Sequence, residues 1–218
     1  MKQKNEAPSF VRSCVLFLLL LVFYGPLWSQ FVINDNQKID EISLHPYAKI
    51  ANLEQENRSL HQILKDGKLV FEILPIENTD LGFTSNHYWL TFQIKNETSK
   101  IQTFYLEACR PIVDYATFYT IDQEQKIIKQ VSGDAIPFKE RSIQNRKILF
   151  KIELPPNELQ TYYLHLKSDG EVINAGIMLR SMDNLMQTMS FEQVIFGIFY
   201  GILLIAAIIY MFFFFALL

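Results

Sequence analysis

From residue 194 to residue 218 the chain carries no charged side chain (VIFGIFYGILLIAAIIYMFFFFALL). As a helix rising about 1.5 Å per residue, this run is about 37 Å long, enough to cross a hydrocarbon core of about 30 Å with some tilt. A helix that is apolar on every side must be covered on every side, and the strand-patterned chain before it is too short to wrap it. A bilayer is the environment that remains. Gly197 and Gly201 stand four apart and, with Tyr200, form a stripe against which another helix can pack closely; ordinary glycine in a membrane helix is the alternative. The run reaches Leu218 without a basic flank. This predicts a piece of a longer chain, cut within its first membrane helix, with a natural tail anchor as the other reading.

The amino end has a second apolar segment of a different kind. Lys2, Lys4 and Arg12 precede an apolar run over residues 15–24, which Gly25 and Pro26 stop. Too short to span, and followed by small and polar residues, it has the layout of a cleavable secretion signal. Cleavage is expected after Ser29, leaving residues 1–29 as the signal peptide, with an uncleaved signal anchor as the alternative. Cys14 lies inside this segment, so Cys109 would be the mature chain's lone thiol, a buried small hydrophobe rather than a reactive group. A chain exported from its amino end leaves residues 30–193 outside the cytoplasmic membrane, in the periplasm, and directs the carboxyl-terminal helix inward. Acidic residues outnumber basic ones, 23 to 20, and no basic run offers clustered cations to a phosphate backbone, which argues against nucleic acid as a partner.

Between the two apolar segments, apolar and polar residues alternate with the period of strands. Tyr88, Leu90, Phe92 and Ile94 make one such face, opposite Trp89, Thr91, Gln93 and Lys95. Phe104, Leu106 and Ala108 repeat the pattern, as do Ile148, Phe150, Ile152 and Leu154, and then Tyr162, Leu164 and Leu166. Further strands are expected at residues 68–73, 112–119, 126–131 and 173–179. Turn formers separate the runs, among them Ser132-Gly133-Asp134, Pro155-Pro156-Asn157 and Ser168-Asp169-Gly170. Short strands with one apolar face each bury themselves most simply as two packed antiparallel sheets, so residues 68–180 read as a β-sandwich. Residues 30–67 read as a polar lead-in with a short helix over residues 50–64, and residues 181–193 as a helical connector to the membrane helix.

No catalytic constellation stands out. His45, His61, His87 and His165 show no metal-type spacing, and there is no nucleophile elbow, P-loop or dinucleotide glycine pattern. No cofactor or metal is expected, and no enzyme within these residues. Aromatic residues do recur on strand faces that otherwise read polar: Trp89, Tyr105, and Tyr163 with His165. Such rings can stack on a ligand while Glu107, Arg110 and Asp114 orient it; packing beneath a second layer is the competing explanation. Asn96-Glu97-Thr98 and Asn57-Arg58-Ser59 match the glycosylation sequon but read as ordinary turn or helix residues.

Three stretches resemble bacterial seven-transmembrane receptors with diverse intracellular signalling modules (7TMR-DISM), specifically those with the type 2 extracellular domain. They are the strand from Leu81 through Tyr88-Trp89-Leu90 to Asn96, the segment from Gly133-Asp134 through Pro137-Phe138 to Arg141-Ser142-Ile143 and Ile148-Leu149-Phe150, and Gly197-Ile198-Phe199-Tyr200-Gly201 with Tyr210 later. Met211 departs from the Asn expected after that tyrosine. The resemblance implies a jelly-roll-like sandwich similar to carbohydrate-binding modules, six more helices, and a cytoplasmic output enzyme such as a histidine kinase or diguanylate cyclase. The combined expectation is an extracytoplasmic sensor of a small-molecule or carbohydrate ligand, anchored in the cytoplasmic (inner) membrane. A surface sandwich on a single helix, used for adhesion or protein contacts, is the alternative.

Overall fold

A computed structural model describes residues 30–74, 79–108, 110–122 and 124–217. The segment expected to be a secretion signal, with Cys14, as well as Cys109 and Leu218, lie outside the described residues. Thirteen strands are described: β1 (Phe31–Ile33), β2 (Glu41–Ser43), β3 (Lys49–Asn52), β4 (Glu72–Ile73), β5 (Asp80–Phe83), β6 (His87–Asn96), β7 (Gln102–Ala108), β8 (Tyr115–Ile121), β9 (Ile127–Ser132), β10 (Leu149–Leu154), β11 (Leu159–Lys167), β12 (Val172–Asn174) and β13 (Ile177–Arg180). Two α-helices accompany them, α1 (Leu60–Lys65) and α2 (Met182–Ala216).

The large sheet runs β4-β3-β6-β11-β8-β9, and β1 also pairs with β6. Facing it is the sheet β10-β7-β13-β2, while β12 and β5 form a separate pair. All pairings are antiparallel except the parallel β1 and β6, in register Phe31 to Ile94. The chain crosses between the two sheets again and again, from β6 to β7, back to β8, over to β10 and back to β11. This is the antiparallel β-sandwich that the alternation predicts, with the sheet-to-sheet crossings of the jelly-roll-like form that the family resemblance implies.

The core is built from the faces that read as apolar. Leu90, Phe92 and Ile94 of β6 meet Phe104 and Leu106 of β7, Phe150 and Ile152 of β10, and Tyr162 and Leu164 of β11 in one buried cluster. Phe118 of β8 stacks on Tyr162 at 5.4 Å and on Phe150 of the opposite sheet at 5.3 Å, so aromatic contacts bridge the two layers.

Several elements depart from expectation. Residues 50–52 are not helical but extend β3, which pairs with β6 from Lys49 opposite Thr91 to Asn52 opposite Tyr88. The lead-in thus supplies β1, β2 and β3 to the two sheets, and its helical parts are a 3₁₀ turn at His45–Tyr47 and α1. Within residues 68–73 only Glu72 and Ile73 pair as a strand. Residues 173–179 divide between β12 and β13, which belong to different sheets, because the turn through Ala175 and Gly176 separates them. The connector is helical, as expected, and continuous with the membrane run: α2 is a single helix of 35 residues, about 52 Å long. Among the described residues α2 is the one helix long and apolar enough to cross a membrane, and its large side chains from Val194 onward are exposed.

Candidate functional site

Strand alternation decides what the outer face of the smaller sheet presents. With Phe104, Leu106 and Ala108 turned inward, β7 turns Tyr105 and Glu107 outward; β10 likewise turns Leu149 and Lys151 outward opposite Glu107 and Tyr105. The first turns of α2 lie over this face. Ser181 caps the helix, its side chain accepting from the Asn184 backbone N–H at 3.1 Å, and its own backbone N–H donates to the Asp40 carbonyl at 2.9 Å. Leu185, one turn in, is buried.

Beside this contact runs an open groove of about 680 Å³. One wall is the outward face of β7 and β10, with Tyr105, Leu149 and Lys151; another is the β8 to β9 hairpin, with Thr120, Ile128 and Gln130. The loop after β9 contributes Ser142, Ile143 and Asn145, and α2 closes the groove with Met182, Leu185, Met186 and Met189. Gln130 has a further task. Its amide donates to the Lys151 carbonyl at 2.8 Å and accepts from the Lys151 N–H at 2.9 Å, so one side chain serves as a strand partner for the free edge of β10.

An ion network holds helix and sandwich together next to the groove. Arg180 donates to Glu107 at 2.5 Å and to Asn184 at 2.6 Å, and pairs with Glu41 at 2.8 Å. Lys147 bridges Glu107 at 3.1 Å and Glu192 at 2.9 Å, and Arg146 reaches Glu192 at 2.6 Å. The side chains of Arg180, Lys147 and Glu107 are 10%, 12% and 19% exposed, so these charges are largely withdrawn from solvent and depend on one another.

The opposite flank of the molecule gathers the other aromatic candidates. Trp89 is fully buried, stacked 4.7 Å from His165 and 5.6 Å from Tyr119, in a cluster with Leu53, Leu60 and Ile63 against which Tyr163 packs. The segment carrying α1 is the second layer over this face, and it leaves the indole no surface for a ligand. His87 Nδ1 and His165 Nε2 lie 2.9 Å apart in stacked rings. Burial first, then His87, Lys129 and Lys167, pull the His165 imidazolium down to about 4. Burial and Lys167 also lower His87, against the opposing pull of Asp169. Burial raises the phenols of Tyr119 and Tyr163.

The ligand candidates therefore fall into three places. Tyr105 lines the groove and Glu107 anchors the network beside it; Trp89, Tyr163 and His165 belong to the layer under α1. Arg110 is exposed at the loop after β7, and Asp114 accepts from the Ser168 hydroxyl at 3.0 Å and the Asp169 N–H at 2.7 Å, tying two loops together. Gly197 and Gly201 have open space beside them on the bare surface of α2, and Tyr200 is exposed near them. Met182, Met186 and Met189 of the groove, and Arg180 and Lys147 of the network, are not among the expected site residues. The methionines were legible as a stripe with Leu185 at helical spacing in the connector. Among the described residues no group of three or more His, Cys, Asp or Glu is placed to hold a metal ion.

A search of curated proteins returns no match. Among solved structures the chain is similar to a GH31 alpha-xylosidase from Xanthomonas citri, at 16% identity and a TM-score of 0.28, over 72% of this chain and 16% of that enzyme. A likeness that weak carries no argument about fold or activity. The family model described as 7TMR-DISM extracellular 2 matches residues 45–179, which begins before β3 and ends within β13, one turn short of the membrane helix. This chain is a membrane protein that belongs to the 7TMR-DISM extracellular 2 family.

Proposed function

We propose that this chain is the ligand-sensing, extracytoplasmic end of a bacterial signalling receptor, held in the cytoplasmic membrane with its sandwich in the periplasm, and that ligand occupies the groove between the smaller sheet and α2. One observation carries this reading: the groove has a wall on each of the two bodies that would have to move relative to one another, the sandwich and the helix that enters the bilayer. A ligand bound equally well in both arrangements would shift nothing, whereas one that touches both walls has an affinity set by their relative position. Driving such an equilibrium from 1:99 to 99:1 takes about a 10⁴-fold preference for one arrangement.

The lining supports an amphipathic small molecule. Three methionines, Ile128, Ile143 and Leu149 offer an adaptable apolar bed, and Thr120, Ser142, Asn145 and Lys151 supply a few polar contacts at its margin. A sugar would find one outward aromatic ring here, that of Tyr105, and few hydroxyl partners. The test uses the full chain in nanodiscs with ¹³C-methyl methionine, screened by NMR against a library of amphipathic small molecules and oligosaccharides. A ligand of this site moves the methyl signals of Met182, Met186 and Met189 and leaves Met211, deep in the apolar run, unchanged. If no compound moves the three connector methionines, the groove is not the sensory site.

A further inference from the structure

The loop between β9 and β10 is unlike the rest of this acidic chain. Residues 136–147 hold Lys139, Arg141, Arg146 and Lys147 against one acid, Glu140. Two contacts lay this loop along α2. The Arg146 guanidinium sits 4.7 Å from the centre of the Phe196 ring, and the Asn145 amide donates to Met189 sulfur at 3.4 Å. Phe196 is the third residue of the uncharged run. With the uncharged run as the span, the helix acts as a depth gauge: Arg146 stands near the level at which the chain passes from water into lipid. A guanidinium cannot sit in the hydrocarbon without great cost, so that level is the headgroup layer, where arginine meets phosphate while its stem covers apolar surface.

The same loop presents an apolar side chain at this height. Phe138, on a single 3₁₀ turn (Phe138–Glu140), is 52% exposed, with the Arg141 guanidinium 5.8 Å from the centre of its ring and Lys139 exposed next to it. A space of about 280 Å³ between loop and helix is lined by Phe138 together with Met189, Glu192, Gln193 and Phe196, so the ring stands beside the turns of α2 in which the charged residues end and the uncharged run begins. A bare aromatic ring flanked by cations, at the depth where a bilayer begins, matches the chemistry of the lipid interface.

We infer that this turn is a second membrane contact, with Phe138 inserted among the phospholipid headgroups and Lys139 and Arg146 set against their phosphates. Lipid is the occupant because the turn is continuous with the surface of the membrane helix itself. The contact has a consequence for the groove, since Ser142, Ile143 and Asn145 of the same loop line it: the bilayer holds one wall of the groove in place.

The test is electron paramagnetic resonance of the full chain in nanodiscs of phosphatidylcholine and phosphatidylglycerol, in a background in which both cysteines are replaced (Cys14→Ser and Cys109→Ser), with a spin label at Phe138→Cys or, for comparison, at Phe83→Cys, which is 83% exposed on β5. The label at 138 is expected to be several-fold less accessible to a water-soluble nickel chelate than the label at 83, and more accessible to oxygen. Equal nickel accessibility at the two positions overturns the proposal, and so does shielding of position 138 from both relaxants, the mark of a protein cover. As a second readout, with Trp28→Phe in both proteins so that buried Trp89 is the parent's one tryptophan, Phe138→Trp should show at least twofold more quenching by brominated phosphatidylcholine than that parent. No excess quenching overturns it equally.

Discussion

Asn96 shows how one residue can read as a surface motif and yet be a core fastener. Its side chain is fully buried, donating to the carbonyls of Lys100, Leu154 and Pro155 at 2.9, 3.1 and 2.9 Å and accepting from the Thr98 N–H and hydroxyl at 3.0 and 2.8 Å. A glycan on this amide would have to break that set, so the sequon match is a structural turn, in line with the sequence reading. Asn96→Ala takes the amide away from the Leu154 and Pro155 carbonyls and from the Thr98 N–H, while the Thr98 hydroxyl keeps the Lys100 carbonyl at 3.0 Å, and should cost about 3–5 kcal/mol of unfolding free energy. Urea denaturation measures it; a loss below about 1 kcal/mol would mean that water replaces the amide freely. Gly133 is constrained more tightly. With φ at +131° and a Cβ that would fall 2.2 Å from the Asp114 carbonyl oxygen, no other residue fits there without moving backbone. The Gly133-Asp134 pair seen in the sequence thus marks the point where the β9 to β10 loop is pinned, with the Asp134 N–H donating to the Val113 carbonyl at 2.9 Å.

At the scale of elements, α1 converts the outer face of the large sheet from a surface into a second small core. A six-residue helix has little stability of its own. Ser59 helps to start it, its backbone N–H donating to the Gln62 side chain at 2.8 Å, and burial of Leu60 and Ile63 around Trp89 holds it down. The histidines under this layer make its stability depend on acid. An unfolded imidazole takes up its proton near pH 6.5, whereas His165 in place does so near 4. The unfolded chain therefore binds more protons across that window. Stability is complete above about pH 6.5 and falls as the pH drops, by an amount on the order of 3 kcal/mol once pH 4 is reached. Thermal midpoints at pH 7, 5 and 4 should decline in the parent and decline less in His165→Phe, which keeps a ring on Trp89 but cannot charge. The same slope in both proteins would remove His165 as the cause.

For the whole molecule, the sandwich and the membrane helix are joined by more than the peptide chain. Glu107 lies at the centre of the network, between Arg180 and Lys147. Glu107→Gln leaves two largely buried cations with weaker partners, although Arg180 keeps Glu41 and Lys147 keeps Glu192. A loss of about 1–2 kcal/mol is expected to be felt locally. It should raise amide exchange over residues 182–192 about tenfold while β6 and β11 stay protected. Uniform acceleration would mean that Glu107 supports the sandwich as a whole, and no change would mean that the helix docks through Leu185 and its methionines alone.

Two things about this protein were determined by its sequence alone, because both are written in local periodicity. The inward faces of β6, β7, β10 and β11 follow from alternation at period two, and the membrane helix follows from an unbroken absence of charge, neither of which needs a partner to be read. The tertiary structure decided everything that depends on residues far apart in the chain. Trp89 reads as outward facing, and it is outward on its strand, but residues 53–71 fold back over it. The short strands β1, β2 and β3 carry too few residues for a pattern and exist because β6 and β13 offer edges to pair with. The groove and the Glu107 network form where β7, the β9 to β10 loop and α2 converge. The ion pairs Lys147–Glu107, Arg180–Glu107 and Arg146–Glu192 each join residues at least forty apart, which no local pattern encodes.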